Sequence, residues 1–298
     1  MPRLTLLVGP PGSGKSTLAK EYCSLGGAVY INQDSQGKNH HNLFGVAIAE
    51  GKDVVVDRLN FSKGQRDRYL SLAKANGYST HITVLHQPYK VCLERCLARQ
   101  GHETIKDEDN ARAALSMFFG KYERVQDNEA DVVLRVWPEG DKPVAIICDL
   151  DGTLCKIDHR LHFVRREPGV KKDWKGFFDA MDGDDVNEWC ARLLHMMGEK
   201  LQIVYCSGRP DDRRRQTRSW LEKRNLFDLC YGNLDEQFHL YMRPRNDSRQ
   251  DNIVKEIILD FEILTRFTPY FMIDDRKQVV DMWRARGFTC LHCAEGDF

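Results

Sequence analysis

The stretch LTLLVGPPGSGKST at residues 4–17 indicates the fold of the first half of the chain. Leu4–Val8 is an apolar run with the length of a buried strand, and the spacing of Lys15–Ser24 predicts a helix soon after it. Between them, Gly9–Ser16 matches the pattern GxxxxGK[ST]. This pattern is typical of a loop that joins a strand to a helix and whose backbone N–H groups converge on phosphate groups. The stretch therefore predicts an α/β domain that contains a phosphate-binding loop.

The residue types in this loop predict separate roles. We expect Lys15 to neutralise the group that is transferred and Ser16 to hold Mg²⁺. The residues of the loop expected to bind ATP are Gly9, Gly12, Ser13, Gly14, Lys15, Ser16 and Thr17. The motif indicates a nucleoside triphosphate as donor, but it does not identify the acceptor.

Short β-branched runs alternate with amphipathic segments along the whole chain, which is the pattern of α/β domains with parallel sheets. The other strands predicted in the first half are 28–32, 54–57, 80–85 and 132–136, and the other helices are 63–75, 89–99 and 107–124. A linker-like sequence follows at 137–143. The strands predicted after it are 144–148, 201–206, 270–273 and 288–291, and the helices are 211–224, 252–264 and 278–286. We therefore predict two domains, residues 1–140 and 141–298.

The composition excludes several classes of protein. The 298 residues carry 44 Lys and Arg against 44 Asp and Glu, so nucleic-acid binding would have to come from local patches. No apolar run approaches the roughly 18 residues that a membrane helix needs. Gly9 and Pro10 interrupt the N-terminal run too early for a signal peptide. Ten cysteines lie scattered without disulfide-framework spacing. These features predict a cytoplasmic protein with no membrane partner.

Four charged residues of the first half are candidates for catalysis. Asp34 and Asp57 follow or end predicted strands, where open α/β sheets bind ligands. One should accept the proton of the acceptor hydroxyl and the other should orient substrate or metal-bound water, unless they are capping residues. Arg95 and Arg99 are four residues apart on one helix face. They form either a lid over the triphosphate or a solvated basic face.

The second half opens with a strand that ends in Asp149-Leu-Asp-Gly-Thr153, which resembles the DxDGT signature of the haloacid dehalogenase-like phosphohydrolases. Side chains two apart on a strand point the same way, so Asp149 and Asp151 can face one phosphate group. Asp149 would attack phosphorus to form an aspartyl-phosphate. Asp151 would protonate the leaving alkoxide and then activate water. Mg²⁺ would screen the carboxylate from the phosphate dianion.

Three later segments occur in the order that this superfamily uses. Ser207 would donate its hydroxyl proton, and Lys255, carried by a helix, would neutralise both the aspartate and the phosphate. At least one of the adjacent Asp274 and Asp275 should hold the metal. The predicted metal ligands are therefore Ser16 in the first half and Asp149, Asp151, Asp274 and Asp275 in the second.

The chain as a whole resembles the bifunctional polynucleotide 5′-kinase/3′-phosphatases of tailed phages, the T-even type. The resemblance implies an α/β protein with an N-terminal P-loop kinase domain and a C-terminal haloacid dehalogenase-like phosphatase domain. It implies Asp34 as the general base of the kinase and a lid formed by Arg95 and Arg99. The substrate-binding residues that it implies are Asp57, Arg160, Arg209 and Asp251.

The resemblance also implies a function, which is the healing of nucleic-acid ends. ATP would phosphorylate 5′-OH ends and 3′-phosphates would be hydrolysed, with DNA or RNA ends as partners and a homo-oligomer as the assembly. One residue departs from the family pattern, because no arginine follows Asp34 within Ser35–Lys38. Lys38 is a candidate replacement, although a lysine lacks the bidentate geometry of arginine. Two alternatives stay open: a small-molecule or nucleotide kinase fused to a nucleotidase-like phosphatase, or a catalytically silent nucleotide-binding scaffold.

The basic stretch Arg165–Lys175 lies where the superfamily inserts a cap over its site. It is a candidate for binding a nucleic-acid strand, because Phe163 and Trp174 offer rings for base stacking. A solvated basic face balanced by nearby aspartates is an equal alternative.

Overall fold

The computed structural model describes residues 1–99, 107–167, 169–226 and 239–296. The chain divides into two compact units, Met1–Glu139 and Gly140–Phe298. Within the described ranges, no helix is long and apolar enough to span a membrane.

The first unit is a five-stranded parallel sheet with helices between its strands. The elements in chain order are β1 (Arg3–Val8), α1 (Lys15–Gly26), β2 (Val29–Asn32), α2 (Gln33–Gln36), α3 (His40–Ala49), β3 (Val54–Asp57), α4 (Lys63–Ala75), β4 (Ser79–Leu85), α5 (Tyr89–Ala98), α6 (Glu108–Lys121) and β5 (Val132–Val136). The strand order is β2-β3-β1-β4-β5.

The central position of β1 explains its composition. Leu4, Leu6, Leu7 and Val8 are all buried, because a strand in the middle of a parallel sheet is covered on both faces. The register pairs Leu7 with Asp57, so the ends of β1 and β3 lie side by side. The phosphate loop and Asp57 therefore emerge at the same edge of the sheet.

The second unit contains another five-stranded parallel sheet, in the order β10-β9-β6-β11-β12. The elements in chain order are β6 (Val144–Cys148), β7 (Cys155–Lys156), α7 (Trp174–Asp179), β8 (Asp185–Val186), α8 (Glu188–Gly198), β9 (Gln202–Pro210), α9 (Arg214–Lys223), β10 (His239–Arg243), α10 (Asp251–Ile258), β11 (Thr268–Asp274), α11 (Lys277–Ala285) and β12 (Cys290–His292). Because β6 is central, Asp149 emerges between the ends of β9 and β11.

A cap segment, residues 155–198, lies between β6 and β9. It contains the short antiparallel pair β7–β8, the helices α7 and α8, and two 3₁₀ segments, Asp158–Phe163 and Met181–Gly183. Its inner side chains join the core of the unit, where Phe177 and Leu194 are buried against one apolar cluster. The cap is therefore packed onto the sheet of its own unit.

Several elements differ from the sequence prediction. The strand predicted to end at Cys206 continues to Pro210, because pairing with β10 extends it past Ser207. The helix predicted for 252–264 changes at Leu259 to π-helical hydrogen bonding, in which the N–H of Leu264 donates to Leu259. The prediction also left out α2, α3, β10 and the elements of the cap segment.

Two candidate active sites

The phosphate loop of the first unit has a backbone that requires glycine. Gly12 and Gly14 have φ angles of 81° and 99°, which L side chains rarely adopt. A Cβ atom at Gly12 would also lie 2.5 Å from the carbonyl oxygen of Cys92 in α5. The loop therefore lies against α5, and α1 begins at Lys15 directly after it. The partial positive charge of this helix end favours a bound anion.

Lys15 is buried at the base of this loop. Its Nζ donates hydrogen bonds to the carbonyl oxygens of Gly9, at 2.9 Å, and Pro10, at 2.8 Å. Burial lowers the pKa of Lys15 to about 8, although the nearby carboxylate of Asp57 opposes the shift. The ammonium group is thus held in place and partly desolvated, which strengthens its interaction with a phosphate oxygen.

The two aspartates have different surroundings. Asp57 is buried at the end of β3, and its Oδ2 accepts hydrogen bonds from Tyr30 Oη at 2.7 Å and Asn32 Nδ2 at 3.0 Å. Asp34 is exposed in the first turn of α2, one short step beyond the end of β2. Asp57 is therefore fixed by the neighbouring strand β2, whereas Asp34 is open to an incoming hydroxyl group.

A cavity of about 610 Å³ brings the predicted kinase residues together. Its lining includes Lys15, Asp34, Asp57 and Arg99, and Lys38 lies there as well. The lining also contains Gly12, Gly14 and Ser16. Arg95 reaches the loop from α5, where its Nη1 donates to the carbonyl oxygen of Gly12 at 3.4 Å. The segment 100–106, which follows the two arginines, lies outside the described residues.

In the second unit, Lys255 connects the carboxylates predicted for the phosphatase site. Its Nζ donates hydrogen bonds of 2.8 Å to Asp149 and 2.8 Å to Asp274, and lies 3.5 Å from Asp251. Lys255 is 0% exposed, and it reaches the site from α10. One buried ammonium group therefore faces three carboxylates.

The oxygens of Asp149, Asp274 and Asp275 form a group that can hold a metal ion, because one oxygen from each lies within 4.8 Å of the others. The set contains only hard oxygen ligands, which divalent cations such as Mg²⁺ prefer. A side chain at Gly152 or Gly296 would collide with Asp275, so both backbones enclose this carboxylate closely. The residues present therefore fit a divalent metal.

The burial of several negative charges raises the pKa values of this group. Desolvation raises the pKa of Asp149 well above its usual value, Lys255 opposes the shift, and Asp274 and Asp275 add to it. Desolvation likewise raises the pKa of Asp275 to about 7, with a further contribution from Asp274. A cation bound among these oxygens would restore their ionised forms.

Asp151 belongs to a different cluster, which joins the cap segment to the sheet. Its Oδ1 accepts hydrogen bonds from Arg160 Nη2 at 2.6 Å and Arg209 Nε at 2.9 Å. Asp184 accepts from both arginines too, at 2.6 Å from Arg160 and 2.9 Å from Arg209. Burial alone would raise the pKa of Asp151, but Arg209 and Arg160 hold it below its usual range. The sequence prediction missed Asp184.

The structure gives the surroundings of the side chains predicted to contact substrate, to donate a hydroxyl proton and to bind metal. Arg160 and Arg209 are buried in ion pairs with Asp151 and Asp184, instead of projecting into open solvent. Ser207 is buried too, and its Oγ accepts a hydrogen bond from the backbone N–H of Arg209 at 3.2 Å. Asp151 is not among the carboxylates grouped with Asp149, Asp274 and Asp275, although it lines the same cavity as Asp149. Substrate contact by the two arginines and metal binding by Asp151 stay predictions.

A second cavity, of about 590 Å³, gives access to the phosphatase residues. Asp149, Asp151 and Asp251 line it together with the backbone of Gly208. The other lining residues are an aromatic group from α7, Pro210 and Asp212, and a largely polar group from the region of residues 243–251, 276 and 278. We call this space the phosphatase cavity.

The sequence profile of the polynucleotide kinase PNKP phosphatase domain matches residues 143–298. The chain belongs to this family. The profile of an AAA domain matches residues 35–123 of the first unit. The predicted fold class, a P-loop kinase domain followed by a haloacid dehalogenase-like phosphatase domain, is therefore confirmed. The phage origin stays a prediction.

The chain is also similar to individual proteins. A protein of Autographa californica nuclear polyhedrosis virus, named as a bifunctional polynucleotide kinase/RNA ligase, is 27% identical over 95% of this chain and 41% of its own length. A protein of Acanthamoeba polyphaga mimivirus, named as a bifunctional polynucleotide phosphatase/kinase, is 39% identical over 28% of this chain and 20% of its own length. The chain thus spans less than half of the length of these relatives. A solved structure of a Pnkp1/Rnl/Hen1 complex covers 100% of this chain and 98% of its own, at 26% identity and a TM-score of 0.41.

Proposed function

We propose that this protein heals nucleic-acid ends by two reactions. It transfers the γ-phosphate of ATP to the 5′-OH end of a polynucleotide, and it hydrolyses a 3′-phosphate through an aspartyl-phosphate on Asp149. The observation that carries the proposal is the presence, in one chain of this family, of a phosphate-loop cavity and a Lys255-linked carboxylate site. Each site contains the groups that its half of the chemistry needs.

In the kinase reaction, the residues of the first unit act mainly by position and charge. The loop N–H groups and Lys15 bind the phosphates, and Asp34 accepts the proton of the attacking hydroxyl from its open position in the cavity. Asp57, oriented by Tyr30 and Asn32, lies beside Lys15 and keeps the loop lysine charged. Arg99 contributes charge from the lining of the cavity, and Lys38, which also lines it, takes the place of the arginine that the family has near its base.

In the phosphatase reaction, Asp149 is the nucleophile. Lys255 orients its carboxylate through the hydrogen bond to Oδ1 and supplies positive charge beside the incoming phosphate. Asp251 and Asp274 in turn hold the ammonium group of Lys255. When bound by Asp149, Asp274 and Asp275, a divalent metal would reduce the repulsion between the carboxylate and the phosphate dianion.

Asp151 is the acid–base residue of the proposal. The leaving 3′ oxygen needs a proton in the first step, and water must lose one in the second. The hydrogen bonds from Arg160 and Arg209 favour the ionised carboxylate, which is the form that accepts the proton of water. The first step uses the protonated carboxyl group, which the second step regenerates when Asp151 takes a proton from water. The arginines therefore favour the second step, oppose protonation for the first, and hold the side chain in place for both.

The finer features of the proposal rest on the ligand chemistry and on the sequence resemblance. We propose Mg²⁺ as the metal of both sites, since hard oxygen donors surround each one and Ser16 lines the kinase cavity. We also propose a phage-encoded protein that acts in the host cytoplasm, and a homo-oligomeric assembly, as the resemblance implies.

One incubation tests the proposed function. An oligonucleotide with a 5′-OH and a 3′-phosphate is mixed with the protein, ATP and Mg²⁺. In parallel reactions, 5′ phosphorylation is followed by transfer of ³²P from γ-labelled ATP, and 3′ dephosphorylation by loss of label from a ³²P-labelled 3′-phosphate. We expect a gain of one phosphate at the 5′ end and a loss of one at the 3′ end. A mononucleoside 3′-phosphate is the matched control. Turnover of the control but not of the oligonucleotide would indicate the small-molecule alternative, and no turnover of either would indicate the scaffold.

A further inference from the structure

We propose that Trp174 and Phe178 of α7 form a stacking surface for the base of the 3′-terminal nucleotide during phosphatase action. The inference rests on the proposed function, and it adds the part of the substrate that the second site recognises. Because every base has an apolar face, such a surface would accept any of the four bases.

The phosphatase cavity is larger than the reacting group needs. Its volume of about 590 Å³ is in the range that holds a whole drug-sized ligand. Asp149 and Asp151 lie in the same lining as Trp174 and Phe178, so a phosphate at the nucleophile and its attached nucleoside would occupy one continuous space. The geometry thus places the first nucleoside against α7.

The aromatic residues of α7 have two structural roles: one ring is buried in the core, and two others line the cavity. Phe177 is 1% exposed, and its ring lies 4.1 Å below the guanidinium carbon of Arg160, which fixes the helix to the Asp151 cluster. Trp174 is 40% exposed, so its replacement should disturb the apolar core of the unit little. Trp174 and Phe178 are four residues apart and share a face of the helix, with ring centres 6.0 Å apart and planes 22° apart. Trp174 is exposed and Phe178 is half-buried against the core, so the pair forms a nearly parallel aromatic surface in the lining of the cavity.

The backbone that carries Trp174 is held firmly. Asp173 caps α7 by accepting a hydrogen bond from the N–H of Gly176 at 2.9 Å. A side chain at Gly176 would meet the ring of Phe163 at 2.7 Å, so the first turn of α7 lies closely on the preceding segment. Phe163 therefore supports the helix and does not line the cavity, whereas Trp174 does.

The rest of the cavity lining is polar and carries charges of both signs. Arg243 and Arg276 pair with Asp251, and Arg249 pairs with Asp247. On the side of α7, Lys172 adds a cation 5.5 Å from the ring centre of Trp174. An aromatic surface flanked by cations is the combination that binds single-stranded nucleic acid, since the rings stack on bases and the cations attract phosphates. The aromatic pair and Lys172 beside it are therefore the features of the cavity that favour a base and its attached phosphate.

The test compares two 3′-phosphate oligonucleotides that differ only in the terminal base. One ends in thymidine, and the other ends in a stable tetrahydrofuran residue that has no base. We expect wild-type protein to prefer the first by about 5- to 100-fold in kcat/KM, the range that loss of one stacked base produces. In Trp174→Ala this preference should fall close to one through a higher KM for the thymidine substrate, while hydrolysis of the abasic substrate continues.

Two further variants complete the test. Trp174→Phe should keep part of the preference because a ring remains. Trp189→Ala is the matched control, since Trp189 is 45% exposed on α8 and does not line the cavity. An unchanged preference in Trp174→Ala, or equal hydrolysis of both substrates by wild-type protein, would overturn the stacking surface and leave the proposed function intact. Hydrolysis of neither substrate by wild-type protein would contradict the proposed function itself.

Discussion

Lys255 donates a hydrogen bond of 2.8 Å to Asp149, although 106 positions separate the two residues in the sequence. The same ammonium group also donates to Asp274 at 2.8 Å. The contact depends on the order β9-β6-β11 within the sheet, which brings the end of β6 next to α10 and the end of β11. A single cation thus stabilises the nucleophile and a candidate metal ligand together.

Replacement of Lys255 by methionine should abolish phosphatase activity and destabilise the second unit. Loss of the ammonium leaves buried carboxylates without their partner, which costs about 3–5 kcal/mol of unfolding free energy. Urea unfolding in the presence of a chelator measures this change. Lys277→Met is the control, because Lys277 is an exposed residue paired with Asp281 on α11, and it should change stability by less than about 0.5 kcal/mol. Equal unfolding curves for the two variants would contradict the buried-cation account.

The role of Asp149 as nucleophile predicts a covalent intermediate. Acid quenching of a single turnover with a ³²P-labelled 3′-phosphate should leave label on a peptide that contains Asp149, and hydroxylamine should release it, since acyl phosphates are cleaved by this reagent. Asp149→Asn should form no labelled species. Label on another residue, or full activity in Asp149→Asn, would show that Asp149 does not attack phosphorus.

The sequence alone was sufficient to predict those parts of the two sites whose residues are contiguous in the chain. GxxxxGK[ST] and DxDGT are contiguous, and each lies directly after an apolar strand, so both strand ends were predicted. The Asp151 cluster was not fully predictable. Asp184 lies 24 positions after Arg160 in the sequence, in a short segment without strong periodicity. In contrast, α3 could have been predicted. Its buried residues His40, Phe44 and Ala47 recur at helical spacing, and this signal was overlooked.

The lowered pKa of Lys15 predicts a pH dependence of nucleotide binding. Burial brings this pKa to about 8, so the ammonium that binds phosphate is lost as pH rises through that value in the free protein. The affinity for ADP, measured by titration calorimetry, should therefore be constant below pH 7 and weaken at higher pH. Lys15→Met should bind weakly with no such dependence. Constant affinity of wild-type protein up to pH 9.5 would contradict the assignment.

Arg95 and Arg99 should contribute mainly to the transition state of the kinase reaction. If each one stabilises the transferred phosphoryl group, removal of either costs about 3–4 kcal/mol, or on the order of 10² to 10³ in kcat, with a smaller change in KM for ATP. Lysine should restore the activity only partly, since it lacks the planar guanidinium. Arg112→Ala is the control, because Arg112 is an exposed arginine on α6 that pairs with Glu108. Normal turnover of both alanine variants at saturating ATP would identify the pair as a solvated helix face.

The central claim is that one chain carries two independent active sites, and separation of the activities by mutation tests it most directly. Lys15→Ala and Asp149→Ala are each incubated with ATP, Mg²⁺ and an oligonucleotide that has a 5′-OH and a 3′-phosphate. We predict that Lys15→Ala removes the 3′-phosphate but adds no 5′-phosphate, and that Asp149→Ala does the reverse. Loss of both activities in either variant, with the fold intact by circular dichroism, would contradict the two-site account.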